Sequence, residues 1–303
     1  MTSTKMQRMQ KMVGRPESQI PGVYRRRIGD IVVTALSDGY LDASYDVFRG
    51  ITPADAETIL KEAFVPAPPR LSVNCFAIHS AGRIGLIDTG SGASMGPTLG
   101  RLPQHLADAD IRIDAIDTVM LTHMHPDHSN GLSSPEGAAC FPNAKLVVSE
   151  RDVSHWHDDG KMAAATERQR VRYFEASREQ IEPYLDRRQD ANGEVFPGVT
   201  AVPLFGHTPE HTGYLIASGG ESLLVWGDIV HFPDVQALRP EVSVEPDSDP
   251  DAAVATRRRV FHMVATDRML VAGMHTHFPG LLHLKPRPEG GYVPLPEIWF
   301  QAL

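Results

Sequence analysis

The chain has 303 residues, 42% hydrophobic and 22% charged, so it can bury a sizeable core as one large domain or two small ones. Its formal net charge of −9 argues against nucleic acid as a partner, because such binding needs clustered Lys and Arg. The two short arginine runs, at 25–27 and 257–259, are interpreted as solvated surface.

The cysteines and the hydropathy pattern indicate the cellular compartment of the protein. Neither Cys75 nor Cys140 has a CxxC partner, which excludes a cysteine metal knuckle. Two isolated cysteines fit a reducing compartment, and a disulfide between them is the alternative. No segment has 18 consecutive apolar residues, so no membrane contact is expected. Residues 1–22 are polar and lack a signal-peptide stretch. We expect a cytoplasmic protein; a leader already removed would leave the same picture.

The hydrophobic pattern predicts an arm or oligomer contact at 1–22, followed by a single domain at 23–303. Strands are predicted at 28–36, 71–79, 84–90, 115–122, 145–148, 199–205, 212–217, 221–226 and 269–272. Helices are predicted from 52, at 101–109, near 150–157, over 162–185 and from 249 to about 266. The proline-rich segment 232–250 is predicted as a long loop. This order favours two mixed sheets with helices outside them.

Residues 121–132 contain the strongest chemical signal in the chain. His123, His125, Asp127 and His128 stand within six positions, on the loop after a predicted buried strand. Imidazole and carboxylate are the ligands that a borderline divalent cation prefers. The alternative is a His-rich surface loop without a metal, but so many ligands in so short a stretch favour a metal site.

Three later segments each place another ligand at a strand end. His207, Asp228 and His275 follow apolar runs, where a scaffold can aim a side chain and leave it partly exposed. Seven ligands are too many for one tetrahedral ion. They fit two ions about 3.5–4 Å apart that share a bridging carboxylate.

The segment from His123 to His128 matches the HxHxDH signature, and with the later His, Asp and His it resembles the metallo-β-lactamase superfamily. Asp88-Thr89-Gly90 resembles the early strand end of that family, and the segments 226–231 and 273–280 resemble the methyl parathion hydrolase and dizinc lactonase group. The resemblance spans about 28 to 285. It implies an αββα sandwich: two mixed β-sheets packed face to face with helices on the outer faces.

The resemblance also implies a role for each ligand. One ion would be held by His123, His125 and His207 and the other by Asp127, His128 and His275, with Asp228 bridging. The ions are expected to be zinc, with manganese, iron or cobalt as alternatives. A hydroxide bridging them would attack a lactone or ester carbonyl, or a phosphotriester centre. The absence of a GxSxG elbow agrees with a solvent nucleophile.

Several residues near the ligands keep more than one interpretation. We favour His275 over His277 as the last ligand because it comes first after its strand. His277 is then expected to line the pocket or to support a ligand, and His211 to contact a carbonyl or a supporting group rather than a metal. Asp88 is expected to accept a hydrogen bond from a ligating imidazole rather than to bind a metal itself. His231, three positions after Asp228, is proposed as a donor of a proton or hydrogen bond to the substrate or leaving group, against a purely structural role. The predicted catalytic residues are therefore Asp127, Asp228 and His231.

The predicted substrate pocket is lined by Phe64, Trp156, Ile229 and Phe232, which favours a small, neutral or apolar ester-like substrate. One alternative is a thioesterase similar to glyoxalase II, which needs a cationic patch for a carboxylate; we see no clear one downstream. The other is a non-catalytic, metal-stabilised ligand-binding protein. A homodimer is expected from the family resemblance.

Overall fold

Two seven-stranded sheets form the centre of the fold, in a computed structural model that describes residues 19–299 and 301–303. Apart from 19–22, the predicted arm lies outside the described residues. The strands are β1 (Val23–Ile28), β2 (Ile31–Asp42), β3 (Phe48–Arg49), β4 (Arg70–Ser80), β5 (Arg83–Ile87), β6 (Ile116–Met120), β7 (Lys145–Val148), β8 (Arg188–Asp190), β9 (Glu194–Phe196), β10 (Val199–Pro203), β11 (Thr212–Ser218), β12 (Glu221–Val225), β13 (Ser243–Val244), β14 (Leu270–Ala272), β15 (Leu281–Pro286) and β16 (Tyr292–Pro296).

Nine α-helices surround the sheets in the described part of the chain. They are α1 (Pro53–Glu62), α2 (Leu102–Asp108), α3 (Pro126–Ser129), α4 (Glu150–Trp156), α5 (Asp159–Ala164), α6 (Glu167–Gln169), α7 (Ala176–Ile181), α8 (Pro233–Gln236) and α9 (Pro250–Thr266). A π-helical segment, Arg170–Glu175, joins α6 to α7, and short 3-10 turns occur at Tyr45–Val47, Ile113–Ala115, Glu182–Arg187 and Gly227–Ile229.

The strand order brings distant segments to one edge of the molecule. The first sheet runs β1-β2-β4-β5-β6-β7-β8, and β5 to β8 are parallel neighbours. The second sheet runs β16-β15-β14-β12-β11-β10-β9, and β12 is parallel to β14. Because parallel neighbours end at the same edge, the loops after β5 and β6 lie together, as do those after β12 and β14.

The packing of side chains shows the four layers of the αββα sandwich, as predicted. Along β4, Phe76 and Ile78 belong to the core between the two sheets, whereas Cys75 and Ala77 face the core under the helices. This alternation is the period-2 pattern of a strand that is buried on both faces. On the far side, α9 covers the second sheet with Val260, Phe261 and Val264.

Some predicted elements need correction. The strand predicted at 28–36 crosses a tight hairpin, because Ile28 pairs with Ile31 and Gly29 adopts a φ of +54° that glycine tolerates. The helix predicted over 162–185 is interrupted between α5 and α6. β15 and β16 lie beyond the last strand predicted. The loop predicted at 232–250 also contains α8 and β13.

The arginine run at 257–259 is not entirely solvated surface. Arg257 is fully buried and donates hydrogen bonds to the backbone oxygens of Ile229, Pro240 and Val242. Burial lowers the pKa of this guanidinium to about 10. The helical period of α9 turns residue 257 inward and leaves 258 and 259 exposed, so Arg257 anchors the long loop beside the site.

Neither a disulfide nor a membrane-spanning helix occurs among the residues that the structure describes. Cys75 is a buried free thiol and Cys140 a half-buried one, which removes the disulfide that the sequence left open. No described helix is long and apolar enough to cross a bilayer.

Candidate metal centre

The HxHxDH segment forms a short loop and one helical turn at the end of β6. Pro126 takes the first position of α3, where its missing N–H is not needed. The imidazoles of His123, His125 and His128 are all buried, at 1%, 5% and 0% exposure. The segment thus aims its side chains into the edge between the two sheets and away from bulk solvent.

The second sheet delivers the remaining ligands to the same place. His207 lies between β10 and β11, Asp228 follows β12, and His275 follows β14. Gly227, with a φ of +57°, allows the turn that aims Asp228; a Cβ there would lie 2.3 Å from Nε2 of His211. Ligands separated by some 150 positions in sequence therefore converge.

The Asp228 carboxylate lies at the centre of the cluster. Its Oδ2 is 2.9 Å from Nε2 of His275, 3.2 Å from Nε2 of His128, 3.5 Å from Nε2 of His207 and 3.8 Å from Nε2 of His123. The Oδ2 of Asp127 is 3.4 Å from Nε2 of His275. Nδ1 of His125 lies 3.0 Å from Nε2 of His207.

These groups fit two divalent cations. His123, His125 and His207 converge on one point and Asp127, His128 and His275 on another, while Asp228 is close to both sets. Three buried atoms of the cluster lack any hydrogen-bond partner: Nε2 of His123, Nε2 of His128 and Oδ1 of Asp228. Orphaned buried polar atoms are costly, and metal coordination would satisfy all three. We call these seven side chains the floor of the site.

The floor is supported by hydrogen bonds on the far side of the ligands. Asp88 accepts from Nδ1 of His128 at 2.8 Å and from both donors of Thr122. Nε2 of His211 accepts the backbone N–H of Asp228, and its Nδ1 faces the Leu204 carbonyl. Such contacts fix the tautomer and direction of a ligand. Asp88 and His211 thus lie where the sequence predicted them.

Asp247 is a support that the sequence analysis missed. Its Oδ1 accepts from Nδ1 of His207 at 2.8 Å, and its Oδ2 accepts the N–H of Val244. The buried Arg257 stands 3.9 Å away. Asp247 lies in the loop predicted at 232–250, where no ligand spacing points to it; the only sequence signal was the unusual length of that loop.

Charges within the floor agree with metal binding. Burial lowers the pKa of His123 and His125 well below the usual value, so both imidazoles are neutral and able to bind a cation. Burial alone would raise the pKa of Asp228, but the imidazoles of His128 and His275 lower it well below its usual range. The carboxylate is therefore ionised, as a bridging ligand must be.

A second buried carboxyl lies behind the HxHxDH loop. Asp152 accepts the N–H of Met124 at 3.1 Å and Nε1 of Trp156 at 3.3 Å. Burial raises the pKa of Asp152 to about 6. Asp152 was not predicted as a site residue, and through Met124 it holds the backbone between two ligands.

Two histidines flank the floor in different ways. Nε2 of His231 lies 3.2 Å from Oδ2 of Asp228, and its buried Nδ1 has no partner. His277 instead bonds Asp234 at 2.7 Å, and its side chain is 51% exposed. The supporting role predicted for His277 is not seen, because the chain turns outward after His275.

A cavity of about 500 Å³ opens above the floor. Its inner wall includes Leu41, Val47, Leu71, Phe232 and Tyr173, whose ring packs on His125 at 4.7 Å. Its outer rim, which we call the mouth, carries the charged residues Asp42, Asp46, Arg168, Arg172 and Glu245.

Of the four side chains predicted to line the pocket, only Phe232 does so. Trp156 and Ile229 are buried in the cores under the helices, because α4 and the turn after β12 direct them there. Phe64 is 94% exposed at the end of α1, where its backbone has a φ of +60°. The sequence analysis missed Tyr173 and Leu71. Periodicity shows that a helix or strand has a buried face, but not whether that face contacts the core or lines a cavity.

Comparison with known proteins agrees with the geometry. The family model described as Metallo-beta-lactamase superfamily matches residues 68–275, while no curated protein matches the chain. The crystal structure of the hydrolase AbOPH, of the beta lactamase superfamily, is 32% identical with a TM-score of 0.88, covering 94% of this chain and all of that one.

Two further structures share the fold at lower identity. AidC, a dizinc quorum-quenching lactonase, is 24% identical with a TM-score of 0.86, over 92% of this chain and 99% of AidC. A probable metal-dependent hydrolase from Staphylococcus aureus is 20% identical with a TM-score of 0.74, over 91% of this chain and all of that one. The chain therefore belongs to the metallo-β-lactamase superfamily of hydrolases, as its HxHxDH segment predicted.

Proposed function

We propose that the protein is a binuclear metal-dependent hydrolase that opens lactones or cleaves small esters or phosphotriesters. The observation that supports this proposal most directly is the floor, where Asp228 lies close to two sets of three possible ligands in the lining of an open cavity. The two bound cations, zinc by analogy with AidC, would supply an acidified water as nucleophile and polarise the substrate oxygen that gains charge.

The protein's own residues position the reaction. Asp228 and Asp127 are ionised and line the cavity, where they would hold the cations close together. Burial lowers the pKa of His231 to about 4, so this imidazole is neutral at neutral pH and keeps one N–H to donate. Its place in the cavity wall supports donation to the substrate or leaving group.

The cavity wall supports a small substrate with an apolar part. Leu41, Leu71 and Phe232 line the same cavity as the floor and the mouth, and burial of apolar surface contributes about 25 cal/mol per Å². The same fold serves a lactonase in AidC, which supports lactones as the first class to test. The homodimer and the cytoplasmic location stay predictions.

A thioesterase is the second candidate, because one observation favours it. That reaction needs a cationic patch for a carboxylate-bearing thiol, and the mouth carries Arg168 and Arg172. This patch lies before His207, Asp228 and His275 in the sequence, not after them.

The test combines elemental analysis with a panel containing a lactone, an aryl ester, a thioester and an organophosphate. We expect two metal ions per chain and turnover of at least one class, which is lost on chelation and restored by metal. Full activity after exhaustive chelation would contradict the proposal. No turnover at full metal content, with micromolar retention of a ligand, would support the metal-stabilised binding protein.

A further inference from the structure

An irregular helix forms one side of the cavity mouth. Residues 167–181 run through α6, the π-helical segment and α7. A π turn is wider than an α turn and occurs frequently at functional sites. Arg172 and Tyr173, in the π-helical segment, and Arg168, in α6, line the cavity that contains Asp127 and Asp228.

The guanidinium of Arg172 lies 6.0 Å from the centroid of the neighbouring Tyr173 ring, but neither Arg168 nor Arg172 has a polar partner within the described residues. Neither guanidinium makes a hydrogen bond or an ion pair there, and Nε of Arg172 is buried without a partner. Arg170 and Arg178, on the same helix but outside the cavity lining, are paired with Glu167 and Asp159 respectively. A buried, unpaired guanidinium nitrogen is costly, so the arrangement points to a partner that enters the cavity.

The charge around the mouth indicates what kind of anion would fit. Asp42 is neutralised by a two-point contact with Arg70, but Asp46 and Glu245 also line the cavity without an arginine partner for their carboxylates. The five charged side chains of the mouth therefore sum to a formal charge of −1, or to zero when Arg70 is counted with Asp42, and the whole chain carries −9. A singly charged carboxylate suits this balance better than a polyanion, and a planar guanidinium can bind it through two parallel hydrogen bonds.

We propose that Arg168 and Arg172 bind a carboxylate at the end of the substrate remote from the bond that is hydrolysed. The substrate would then lie across the cavity, with its apolar part on the wall formed by Leu41, Leu71 and Phe232. This inference rests on the proposed hydrolase function and revises the expectation of a wholly neutral substrate. According to this inference, the two arginines determine whether the enzyme prefers a charged or a neutral ester of the same chain length.

The test uses metal-loaded protein and two aryl esters, 4-nitrophenyl hydrogen glutarate and its methyl ester. The quantity measured is the ratio of kcat/KM for the carboxylate ester to kcat/KM for the methyl ester. Arg172→Gln should lower this ratio about tenfold, the effect of losing one charge-assisted hydrogen bond. Arg168→Gln, on a more exposed side chain, should lower it about threefold.

The matched control is Arg170→Gln, on the same π-helical segment but paired with Glu167 and absent from the cavity lining. It should leave the ratio unchanged. A phosphonate in place of the carboxylate forms the third arm; a stronger preference for the phosphonate ester would overturn the carboxylate assignment. An unchanged ratio in Arg172→Gln would overturn the role of that residue.

A binding measurement separates this inference from the proposed function. Calorimetric titration should show that wild-type protein binds glutarate more tightly than monomethyl glutarate, and that Arg172→Gln abolishes the difference. If no ester of the panel is hydrolysed at full metal content, the hydrolase proposal fails while this titration still decides the arginine site. Equal affinities of the wild type for glutarate and monomethyl glutarate would contradict the carboxylate site without contradicting the hydrolase function.

Discussion

The floor and the mouth of the cavity are built in opposite ways. At the floor, most ligands have a second contact behind them, such as Asp88 behind His128 and Asp247 behind His207. At the mouth, Arg168 and Arg172 have no polar partner within the described residues. Coordinating groups must be held rigidly to bind a cation tightly, whereas groups that receive a substrate must stay free until it arrives.

This difference predicts where substitutions will act. Changes at the floor should alter metal content and turnover of every substrate, and changes behind it should act through the ligands they hold. Changes at the mouth should alter only the ranking of substrates. A variant that violates this pattern would contradict the division between floor and mouth.

Asp228→Asn should have the largest effect, because it removes the charge of the carboxylate that lies close to both sets of ligands. We expect kcat/KM to fall more than about a thousandfold for every substrate, with metal content below two per chain. Elemental analysis and steady-state kinetics measure both. The control is Asp234→Asn, which changes a carboxylate bound to His277. An equal loss of kcat/KM and metal content in the control would contradict the special role of the floor.

His231→Ala should lower turnover about a hundredfold while metal content stays near two per chain, as expected for a group that donates a proton or hydrogen bond. Its Nε2 lies 3.2 Å from Asp228, so the variant also tests the opposite view. Loss of metal in this variant would place His231 among the structural residues of the floor.

Asp247→Asn should weaken metal affinity about 10- to 100-fold, because the charged acceptor behind Nδ1 of His207 is lost. Competition with a coloured chelator gives the affinity. Asp251→Asn, an exposed acid in the first turn of α9, should leave it unchanged. Equal affinities in the two variants would show that ligand support does not extend to this loop.

Asp152→Asn tests the buried carboxyl behind the HxHxDH loop through the pH dependence of stability. Burial raises the pKa of Asp152 to about 6, so the folded state binds the proton more tightly than the unfolded state. Its contribution is therefore fully present below the unfolded pKa, near 3.9, and is lost as the pH rises through about 6.

The wild type should lose up to about 3 kcal/mol of this contribution between pH 4 and pH 7, and Asp152→Asn should lack that loss. Urea unfolding of both metal-free proteins at each pH gives the difference in the free energy of unfolding. Parallel pH profiles for the two proteins would mean that Asp152 does not titrate in this range.

His277→Ala should have the smallest effect. Its side chain is 51% exposed and bonds Asp234 rather than a ligand, and an exposed ion pair contributes no more than about 1 kcal/mol. Metal content and turnover should match the wild type. A clear loss of metal would restore the supporting role that the sequence suggested for this residue.

Most side chains of the floor could be predicted from the sequence alone. His123 to His128 lie in one short segment, so local spacing is enough to show a metal-binding pattern. His207, Asp228 and His275 follow strands, and the strand end is visible in the hydrophobic pattern. Asp88 was placed by the family resemblance of the segment 88–90, and His211 by its position four residues after His207.

Only the tertiary structure shows which residues form the mouth and the cavity wall, and which loop residues support the ligands. Phe64, Trp156 and Ile229 are aromatic or apolar residues in segments predicted to line the pocket, but helix and turn geometry directs them elsewhere. Asp247, Arg257 and Tyr173 carry no local signal, since each acts on a group far away along the chain. Spacing along the sequence indicates which residues belong to the same helix or strand. The packing between helices and strands determines which distant residues their side chains contact.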